Sequence, residues 1–431
     1  MRLTLPALRS RNYRLFFAGQ GISLIGTWMT QLSTVWVVYQ LTHSAFMLGL
    51  VGFVAQIPSF VLAPFGGLIA DRYNRHRLLV TTQVLAMLQS LALAAFTLTG
   101  TIDIWLLLGL GFAQGLINVV DAPVRQTFVK DMIERPGDLA SAIALNSSLV
   151  NGARLMGPAI AGLIIARIGA GYCFLIDGIS YIAVIAGLLS MRLKSQPRMA
   201  ITMKPLRRIQ EGFNYAFQSL PIRSILLLMA LFSLMAMSNS TLMPVFAVQI
   251  LQVDAHTLGF LLAASGVGAL IGGVYMSTRT SVVGLGKVIA SAPILCGVGL
   301  IGFALSRTVW LSVPLIMLVG LGSILQISAS NTVLQTIVED DKRGRVMSLF
   351  TMSFLGMAPF GSLLAGSLAS AIGASSTFVL NGSICIVGAV LFARQLPRLK
   401  SLVRPIYAEK GILPAVSSEL HAALIETKPP P

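Results

Sequence analysis

Two ionisable side chains lie inside apolar stretches that are long enough to cross a membrane as helices. Arg154 is near the middle of the stretch 139–168, and Asp177 is within the stretch 172–191. A charged side chain at the centre of a bilayer costs about 2.5–3.5 kcal/mol on insertion scales, so both residues are candidates for a functional site. If the two stretches are consecutive antiparallel helices, the charges reach similar depths, and we predict an ion pair. We favour a structural role for Asp177, with proton binding as the alternative, and contact with an anionic group of a ligand or with another carboxylate for Arg154.

Uncharged polar residues in the middle of other apolar stretches form a second group of candidates. Each residue alone is more typical of a hydrogen bond between helices than of a ligand contact. Together they exceed what a structural bundle needs, and they predict a hydrated cavity that binds a small molecule. These residues are Gln31, Asn118, Asn239, Gln326 and Asn331.

The sequence GGLIADRYNRHR ends an apolar stretch abruptly in a cluster of charge. Gly67 and Asp71 are four residues apart, so on a helix they share one face. We expect Gly67 to let a neighbouring helix approach closely. We expect Asp71 to face the positive N-terminus of another helix. Asn74 tolerates the left-handed conformation that a tight turn before Arg75 would use.

The same sequence resembles the loop between the second and third helices of the major facilitator superfamily of secondary transporters, whose pattern is G-x-x-x-D-R-x-G-R-R/K. The pattern is met at Gly67, Asp71, Arg72 and Arg75, and it departs at Asn74 and His76. The opening of the chain, ALRSRNYRLFFAGQGISLIGTWMTQ, is similar to the drug- and siderophore-exporting branch, which includes the enterobactin exporter and macrolide efflux proteins. The resemblance implies export of a small amphipathic drug or siderophore by alternating access and proton antiport. Import, transport of a lipid-like substrate, and a receptor or scaffold role are the alternatives.

We interpret the charged loop as a conformational latch rather than a substrate site. Asp71 is expected to contact an arginine and the N-terminal end of the eleventh helix when the cytoplasmic helix ends are packed together. The residues assigned to the latch are Gly67, Asp71, Arg72, Arg75, Arg125, Arg343 and Arg345.

The fifth apolar stretch contains the sequence NGARLMGPAIAG, which resembles the glycine–proline motif of antiporters in this superfamily. A proline removes a helical hydrogen bond and a glycine removes a side chain, so the motif predicts a bend near the middle of the membrane. The residues of the predicted bend are Gly152, Gly157, Pro158 and Gly162.

Composition and charge placement point to a membrane protein. Of the 431 residues, 55% are hydrophobic and 11% are charged, whereas about a quarter of the residues of soluble domains are charged. All but three of the 31 Lys and Arg residues fall in alternate loops or at the chain ends, the exceptions being Arg154, Arg167 and Arg307. This asymmetry predicts a multi-pass protein of the cell (inner) membrane with both termini in the cytoplasm. It also explains the net charge of +16 without nucleic acid as a partner.

The apolar stretches predict an all-α polytopic membrane protein with twelve transmembrane helices. The predicted helices cover 15–41, 45–70, 78–98, 104–129, 139–168, 172–191, 225–251, 258–276, 288–305, 309–338, 347–372 and 376–392. The two halves repeat weakly: GGLIADR is echoed by GGVYMSTR, RQTFVKD by LQTIVED, and GPAIAG by GSLLAG. We therefore predict two pseudo-symmetric six-helix bundles, as in the major facilitator fold. The bundles are residues 1–191 and 225–396, with a cytoplasmic linker at 192–224 that contains a short amphipathic helix, and a loose cytoplasmic tail at 397–431.

Motifs of other function classes are absent from the sequence. It contains no H-E-x-x-H zinc motif, no G-x-S-x-G nucleophile elbow and no G-x-x-x-x-G-K-[ST] phosphate loop, so we predict neither an enzyme nor an ATPase. Its three cysteines show no metal-binding or disulfide spacing. We expect no cofactor and no metal, and a monomer whose partners are a small-molecule substrate, protons and the lipid bilayer.

Overall fold

The computed structural model describes residues 6–192, 205–237, 239–279 and 281–412, and these residues form fifteen α-helices. The helices are α1 (Arg11–Thr42), α2 (Ala45–Arg72), α3 (Arg75–Leu98), α4 (Ile104–Met132), α5 (Leu139–Ile168), α6 (Ala170–Leu189), α7 (Pro205–Gln218), α8 (Leu220–Phe232), α9 (Asn239–Gln249), α10 (Ala255–Thr278), α11 (Leu285–Leu305), α12 (Val309–Ile337), α13 (Arg343–Thr351), α14 (Ala358–Ile372) and α15 (Ala374–Glu409). A π-helical turn at Ser233–Met237 follows α8, and a second one at Met352–Gly356 joins α13 to α14.

Within the described residues, eleven helical segments are long and apolar enough to cross a membrane. The segments Leu220–Gln249 and Arg343–Ile372 each count as one, although each contains a π turn. Helix α1 is not among the eleven because its sequence is richer in polar residues, but its 32 residues pack along α5 and α6. The polytopic helical fold predicted from the sequence is confirmed, and α1 stays the predicted twelfth span.

The loops alternate between two faces of the bundle. The basic face carries the loops 73–74, 133–138, 279–284 and 338–342 together with α7, the start of α1 and the end of α15. The opposite face carries the loops 43–44, 99–103, 250–254 and 306–308. The charge asymmetry of the sequence predicts that the basic face is cytoplasmic.

Helix packing follows the same scheme in both parts of the chain. Helix α2 packs on α4 as α10 packs on α12, and α3 packs on α6 as α11 packs on α15. The two parts meet mainly where α5 packs against α10 and where α14 packs against α2. These two contacts are equivalent under the predicted repeat, because α5 corresponds to α14 and α10 corresponds to α2.

The helices of the linker region differ in detail from the prediction. Helix α8 begins at Leu220 rather than at residue 225, because Pro221 fits the first turn of a helix. The amphipathic helix predicted in the linker is confirmed as α7.

The expectation of a loose tail from residue 397 is wrong for its first part. Helix α15 continues to Glu409 even though it contains two prolines. Leu399 and Val403 are buried in this extension, and Lys410 Nζ donates to the carbonyl of Thr336, 2.8 Å away, at the end of α12. Burial and this bond hold the extension as a helix, while residues 413–431 lie outside the described part of the chain.

Candidate functional site

Helices α5 and α10 cross in close backbone contact near the opposite face. A Cβ atom built on Gly162 would lie 2.8 Å from the carbonyl oxygen of Ala255 and 3.0 Å from Cα of Gly259. Conversely, a Cβ on Gly259 would run into the carbonyl oxygen of Pro158. Only glycine at both positions allows this approach, so the glycine–proline sequence of α5 is part of the contact between the two halves.

Helices α2 and α14 form the equivalent crossing. A Cβ on Gly49 would lie 2.5 Å from the carbonyl oxygen of Ser362 and 3.0 Å from Cα of Gly366. One turn further along, the rings of Phe53 and Phe360 meet edge to face with centroids 5.7 Å apart. The two halves are therefore sealed against each other toward the opposite face at two pseudo-symmetric helix crossings.

The predicted bend of α5 makes its other contact with α1. Gly157 lies against the backbone and Cβ of Trp28, so any side chain larger than hydrogen would overlap this residue. Next to it, the guanidinium carbon of Arg154 lies over the Trp28 ring, 5.5 Å from the centroid. This is a cation–π contact. Gly152, by contrast, has open space where a Cβ would be.

Asp177 is buried among hydroxyl groups. Its Oδ2 atom accepts from Thr30 Oγ1 at 2.8 Å and is 3.0 Å from Ser90 Oγ. Its Oδ1 atom has no hydrogen-bond partner and packs against Gly26, where a Cβ would lie only 2.6 Å away.

The predicted ion pair between Arg154 and Asp177 is not formed in this structure. Gly26 and Thr30 face Asp177, whereas Trp28, two residues away from each of them, faces Arg154. Two residues correspond to about 200° around an α-helix, so α1 itself stands between the two charges. Both charges lie on helices apolar enough to cross a membrane, but the sequence did not reveal the helix that separates them.

A second buried carboxylate lies closer to the basic face, between α3 and α4. Asp121 Oδ1 accepts from Thr82 Oγ1 at 2.9 Å and from Gln83 Nε2 at 2.8 Å, and its Oδ2 pairs with Arg125 one turn along α4. Asp121 is thus fully hydrogen-bonded and charge-compensated. Arg125, which we expected to contact Asp71, pairs with Asp121, and the side chain of Asp71 lies outside the described part of the chain.

The latch residues at the basic face are only partly brought together. The expected close helix contact is at Gly66, which lies against the carbonyl of Val119 in α4, while Gly67 faces open space. Adjacent residues of a helix differ by about 100° in direction, so only one of two neighbouring glycines can meet a given helix. The backbone of Asp71 is part of α2, but its side chain lies outside the described part of the chain.

The remaining latch residues contact other groups. Arg75 pairs with Asp131 of α4 at 3.5 Å, Arg72 is exposed, and Arg343 pairs with Asp340. Arg345 packs its Cβ against Gly212 of the linker helix α7. Asn74 does not adopt the expected left-handed conformation: with φ −67° it is the N-cap of α3, and its side chain accepts from the backbone N–H of Arg77 at 3.1 Å.

The uncharged candidates divide by exposure. Gln31 and Asn118 are exposed, and Asn239 and Asn331 are half-buried. Asn118 accepts from Gln114 at 3.2 Å, and Asn331 accepts from Gln335 at 2.6 Å, in both cases one turn away on the same helix. Gln326 differs because it is completely buried, bonded to Ser330 at 3.4 Å. In this conformation Gln326 is part of the packing around α12 rather than of an accessible surface.

A family described as transmembrane secretion effectors, one of the major facilitator families, matches residues 3–413. The chain belongs to this family. It is therefore a multi-pass membrane transporter of small molecules and not an enzyme, as its sequence predicted.

Individual relatives agree with this family. The staphyloferrin A transporter of Staphylococcus aureus is 29% identical over 392 residues, which are 90% of this chain and 97% of the relative. The multidrug efflux pump Tap of Mycolicibacterium fortuitum is 26% identical over 396 residues, which are 89% of this chain and 94% of the relative. The resemblance to drug and siderophore transporters is thus confirmed at the level of the family.

Solved structures show the same fold at lower sequence identity. The nucleoside transporter NupG has a TM-score of 0.72 and 13% identity, with 90% of this chain and 98% of that chain covered. A bacterial homologue of the iron transporter ferroportin, in an inward-facing state, has a TM-score of 0.67 and 16% identity, with 91% and 99% covered. These similarities concern the major facilitator fold alone.

Sequence reasoning missed the residues that surround the two buried charges. Trp28 and Thr30 in α1, and Ser90 in α3, are unremarkable in an apolar sequence. Tyr181 carried a usable signal, since its hydroxyl lies one helical turn from Asp177 in an otherwise apolar stretch. The small residues of α2 and α14 at the second crossing carried the same kind of signal, a four-residue spacing of glycine and serine.

Proposed function

We propose that this transporter exports a small amphipathic molecule with an anionic group, of the drug or siderophore class, from the basic face to the opposite face. Transport occurs by alternating access, and protons move in the opposite direction. Export and the substrate class are supported by the names of two relatives, a staphyloferrin A transporter and a multidrug efflux pump.

The observation that supports an anionic group on the substrate is the environment of Arg154. This guanidinium lies on a membrane-spanning helix over the ring of Trp28, and no carboxylate within the described residues lies within ion-pair distance of it. An uncompensated charge at this depth is costly, and an anionic group of a bound substrate would compensate it. The indole ring beside it offers an apolar surface to the rest of an amphipathic molecule.

The conformation supports loading from the basic face. Both crossings between the halves lie toward the opposite face, where Gly162 meets Gly259 and Gly49 meets Gly366. A substrate that enters from the basic face reaches α1 and α5 without passing either crossing.

Flux into inverted membrane vesicles tests the proposal. Radiolabelled staphyloferrin A and a radiolabelled macrolide serve as probes, with a proton gradient imposed or collapsed by an ionophore. We expect gradient-dependent accumulation of at least one probe. Arg154→Leu should abolish accumulation of the anionic probe, while Arg154→Lys should retain part of it because the charge is kept. Accumulation only in right-side-out vesicles, insensitivity to the proton gradient, or normal transport by Arg154→Leu would contradict the proposal.

A further inference from the structure

The hydroxyl and carboxyl oxygens around Asp177 make three close contacts. They are Thr30 Oγ1 to Asp177 Oδ2 at 2.8 Å, Ser90 Oγ to Asp177 Oδ2 at 3.0 Å, and Ser90 Oγ to the carbonyl oxygen of Phe174 at 3.0 Å. Thr30 and Ser90 are neutral donors to Oδ2, and Ser90 shares its single hydroxyl hydrogen with the carbonyl of Phe174. Within the described residues, no donor reaches Oδ1. An ionised Asp177 would therefore be a buried carboxylate whose charge is not compensated.

A protonated Asp177 carries no charge and adds a third donor to this group. Its carboxyl O–H donates to Ser90, Ser90 donates to the carbonyl of Phe174, and Thr30 donates to Asp177. The ionised form would leave Ser90 to share its one hydrogen between Asp177 and the carbonyl of Phe174. It would also leave the partnerless Oδ1 atom charged beside Gly26, where no donor compensates it.

We propose that Asp177 is the site that binds the coupling proton, and that it is protonated in the conformation sealed at the opposite face. This inference rests on the proposed proton antiport. On release, the carboxyl O–H bond breaks, the proton passes to water at the basic face, and Asp177 is left as a carboxylate. The carboxylate disfavours the packing seen here, so proton release favours the conformation that opens to the opposite face.

Polar side chains continue from Asp177 toward the basic face. Helix α6 packs against α1, α3 and α5. Among the described residues, Thr30 of α1 and Ser90 of α3 bring hydroxyl groups to Asp177, and Gly26 of α1 packs against it. The charge of α5, Arg154, is turned toward Trp28. On α6 itself, Cys173 is one turn away on the side of the opposite face, and Tyr181 is one turn away toward the basic face.

Tyr181 connects the two buried carboxyl groups. Its side chain hydrogen-bonds to Thr27 of α1, and Asp177, Arg125 and Asp121 all lie within electrostatic range of it. A phenol hydroxyl both accepts and donates a proton, so it can pass one proton along while keeping its own charge unchanged. We assign Tyr181 as a positioning residue for proton release and the pair Asp121–Arg125 as its neighbour nearer the basic face.

Helix α1 links the proton site to the proposed substrate site. Thr30 and Gly26 on one side contact Asp177, and Trp28 on the other side contacts Arg154. The proton site and the proposed substrate site therefore contact α1 from opposite sides. A change in the protonation of Asp177 alters the position of α1 and, with it, the surface that contacts the substrate.

Infrared difference spectroscopy on the purified full chain tests the proton site without any substrate. We expect a protonated-carboxyl band at neutral pH that disappears on alkaline titration and is missing in Asp177→Asn. Asp121→Asn is the matched control, since this second buried carboxylate is paired with Arg125 and also accepts from Gln83, so its charge is compensated and it should contribute no such band. A band unchanged in Asp177→Asn, or lost in Asp121→Asn instead, would overturn the proposal.

Variants that keep the carboxyl group of Asp177 test the proposal even if Asp177→Asn does not fold. Thr30→Val and Ser90→Ala each remove one contact, and both should shift the titration midpoint of the band. Tyr181→Phe should leave the midpoint in place and slow proton release measured with a pH indicator. Unshifted midpoints in both Thr30→Val and Ser90→Ala would overturn the assignment even if Asp177→Asn did not fold.

A transport measurement distinguishes failure of this inference from failure of the proposed function. Asp177→Asn should keep exchange of labelled for unlabelled probe across vesicles and lose gradient-driven accumulation. If the unmodified protein shows no proton-dependent transport but the band behaves as expected, the antiport proposal fails and the proton site stands. Loss of exchange together with accumulation in a folded Asp177→Asn protein would instead make Asp177 a structural or substrate residue.

Discussion

Replacing Gly162 by alanine should open the seal between the two halves at the opposite face. The added Cβ would lie 2.8 Å from the carbonyl oxygen of Ala255, 3.0 Å from Cα of Gly259 and 3.1 Å from the carbonyl oxygen of His256. All three neighbours are backbone atoms, so no side chain can rotate away, and the helices must separate. Overpacking of this kind costs about 1–3 kcal/mol. The cost falls only on the conformation in which α5 and α10 touch, so it shifts the conformational equilibrium by a factor of about 5–150.

Gly152→Ala is the matched control for Gly162→Ala. It lies on the same helix, and its added Cβ would meet no atom within 4 Å. Both variants gain the same intrinsic helix preference of alanine over glycine, about 0.8–1.0 kcal/mol, so their difference isolates the clash.

Distances between spin labels at positions 167 and 256 measure the outcome. Arg167 and His256 are exposed at the ends of α5 and α10 that flank the crossing, and the three native cysteines are buried. We expect Gly162→Ala to move the distance distribution to longer values, and Gly152→Ala to match the unmodified protein. Identical distributions in the two variants would refute the idea that glycine contact holds this face closed.

Three further predictions follow from the latch, the topology and one helix cap. Asp71→Asn should weaken transport by favouring the conformation open to the basic face; unchanged flux and unchanged thiol accessibility at this face would exclude the latch. Cysteine replacing Arg75 should be labelled only from the cytoplasm and cysteine replacing Asp254 only from outside, and the reverse pattern would reject the proposed topology. Asp254 accepts hydrogen bonds from the backbone N–H of Thr257 at 3.0 Å and from its hydroxyl, which lower the pKa of Asp254 below its ordinary value. The cap therefore stabilises the folded protein at a pH above the pKa that Asp254 has in the unfolded chain, and this stabilisation is lost as the pH falls through the pKa of folded Asp254. Asp254→Asn should remove this contribution to the pH dependence of thermal unfolding. If the melting temperatures at pH 7 and pH 4 differ as much in Asp254→Asn as in the unmodified protein, the prediction is wrong.

The positions of the helices were predictable because the bilayer leaves few choices. A chain in lipid must satisfy its backbone polar groups within the helix, so each long apolar stretch becomes a helix whose ends lie close to the ends of the stretch. The stretch predicted at 139–168 coincides with α5. The extension of α15 was not predictable in this way, because Leu399 and Val403 are held by packing outside the apolar stretch rather than by lipid.

The contacts of the site depend on helix rotation, which the sequence does not encode locally. Gly66 and Gly67 are chemically identical neighbours, and only the rotation of α2 decides that the first meets α4. Arg154 and Asp177 were placed at suitable depths, but their separation depends on α1 lying between them. A residue can therefore be predicted on a particular helix while the contact predicted for its side chain is not formed.

The two halves of the protein differ in how they can respond to a bound proton or substrate. In the described spans of the amino-terminal half, the buried charges are held by direct hydrogen bonds or by a stacked ring, as at Asp121 and Arg154. The carboxy-terminal half instead carries two π turns that touch each other, with the Ser233 hydroxyl bonded to the carbonyl of Phe354. A π turn interrupts the regular hydrogen-bond ladder, and such turns occur frequently at functional sites. The turn at Met352–Gly356 separates α13, at the basic face, from α14, which forms the crossing with α2. We therefore expect the amino-terminal half to move as a rigid unit when the charge within it changes. We expect the carboxy-terminal half to bend at its π turns when one crossing opens and the basic face closes.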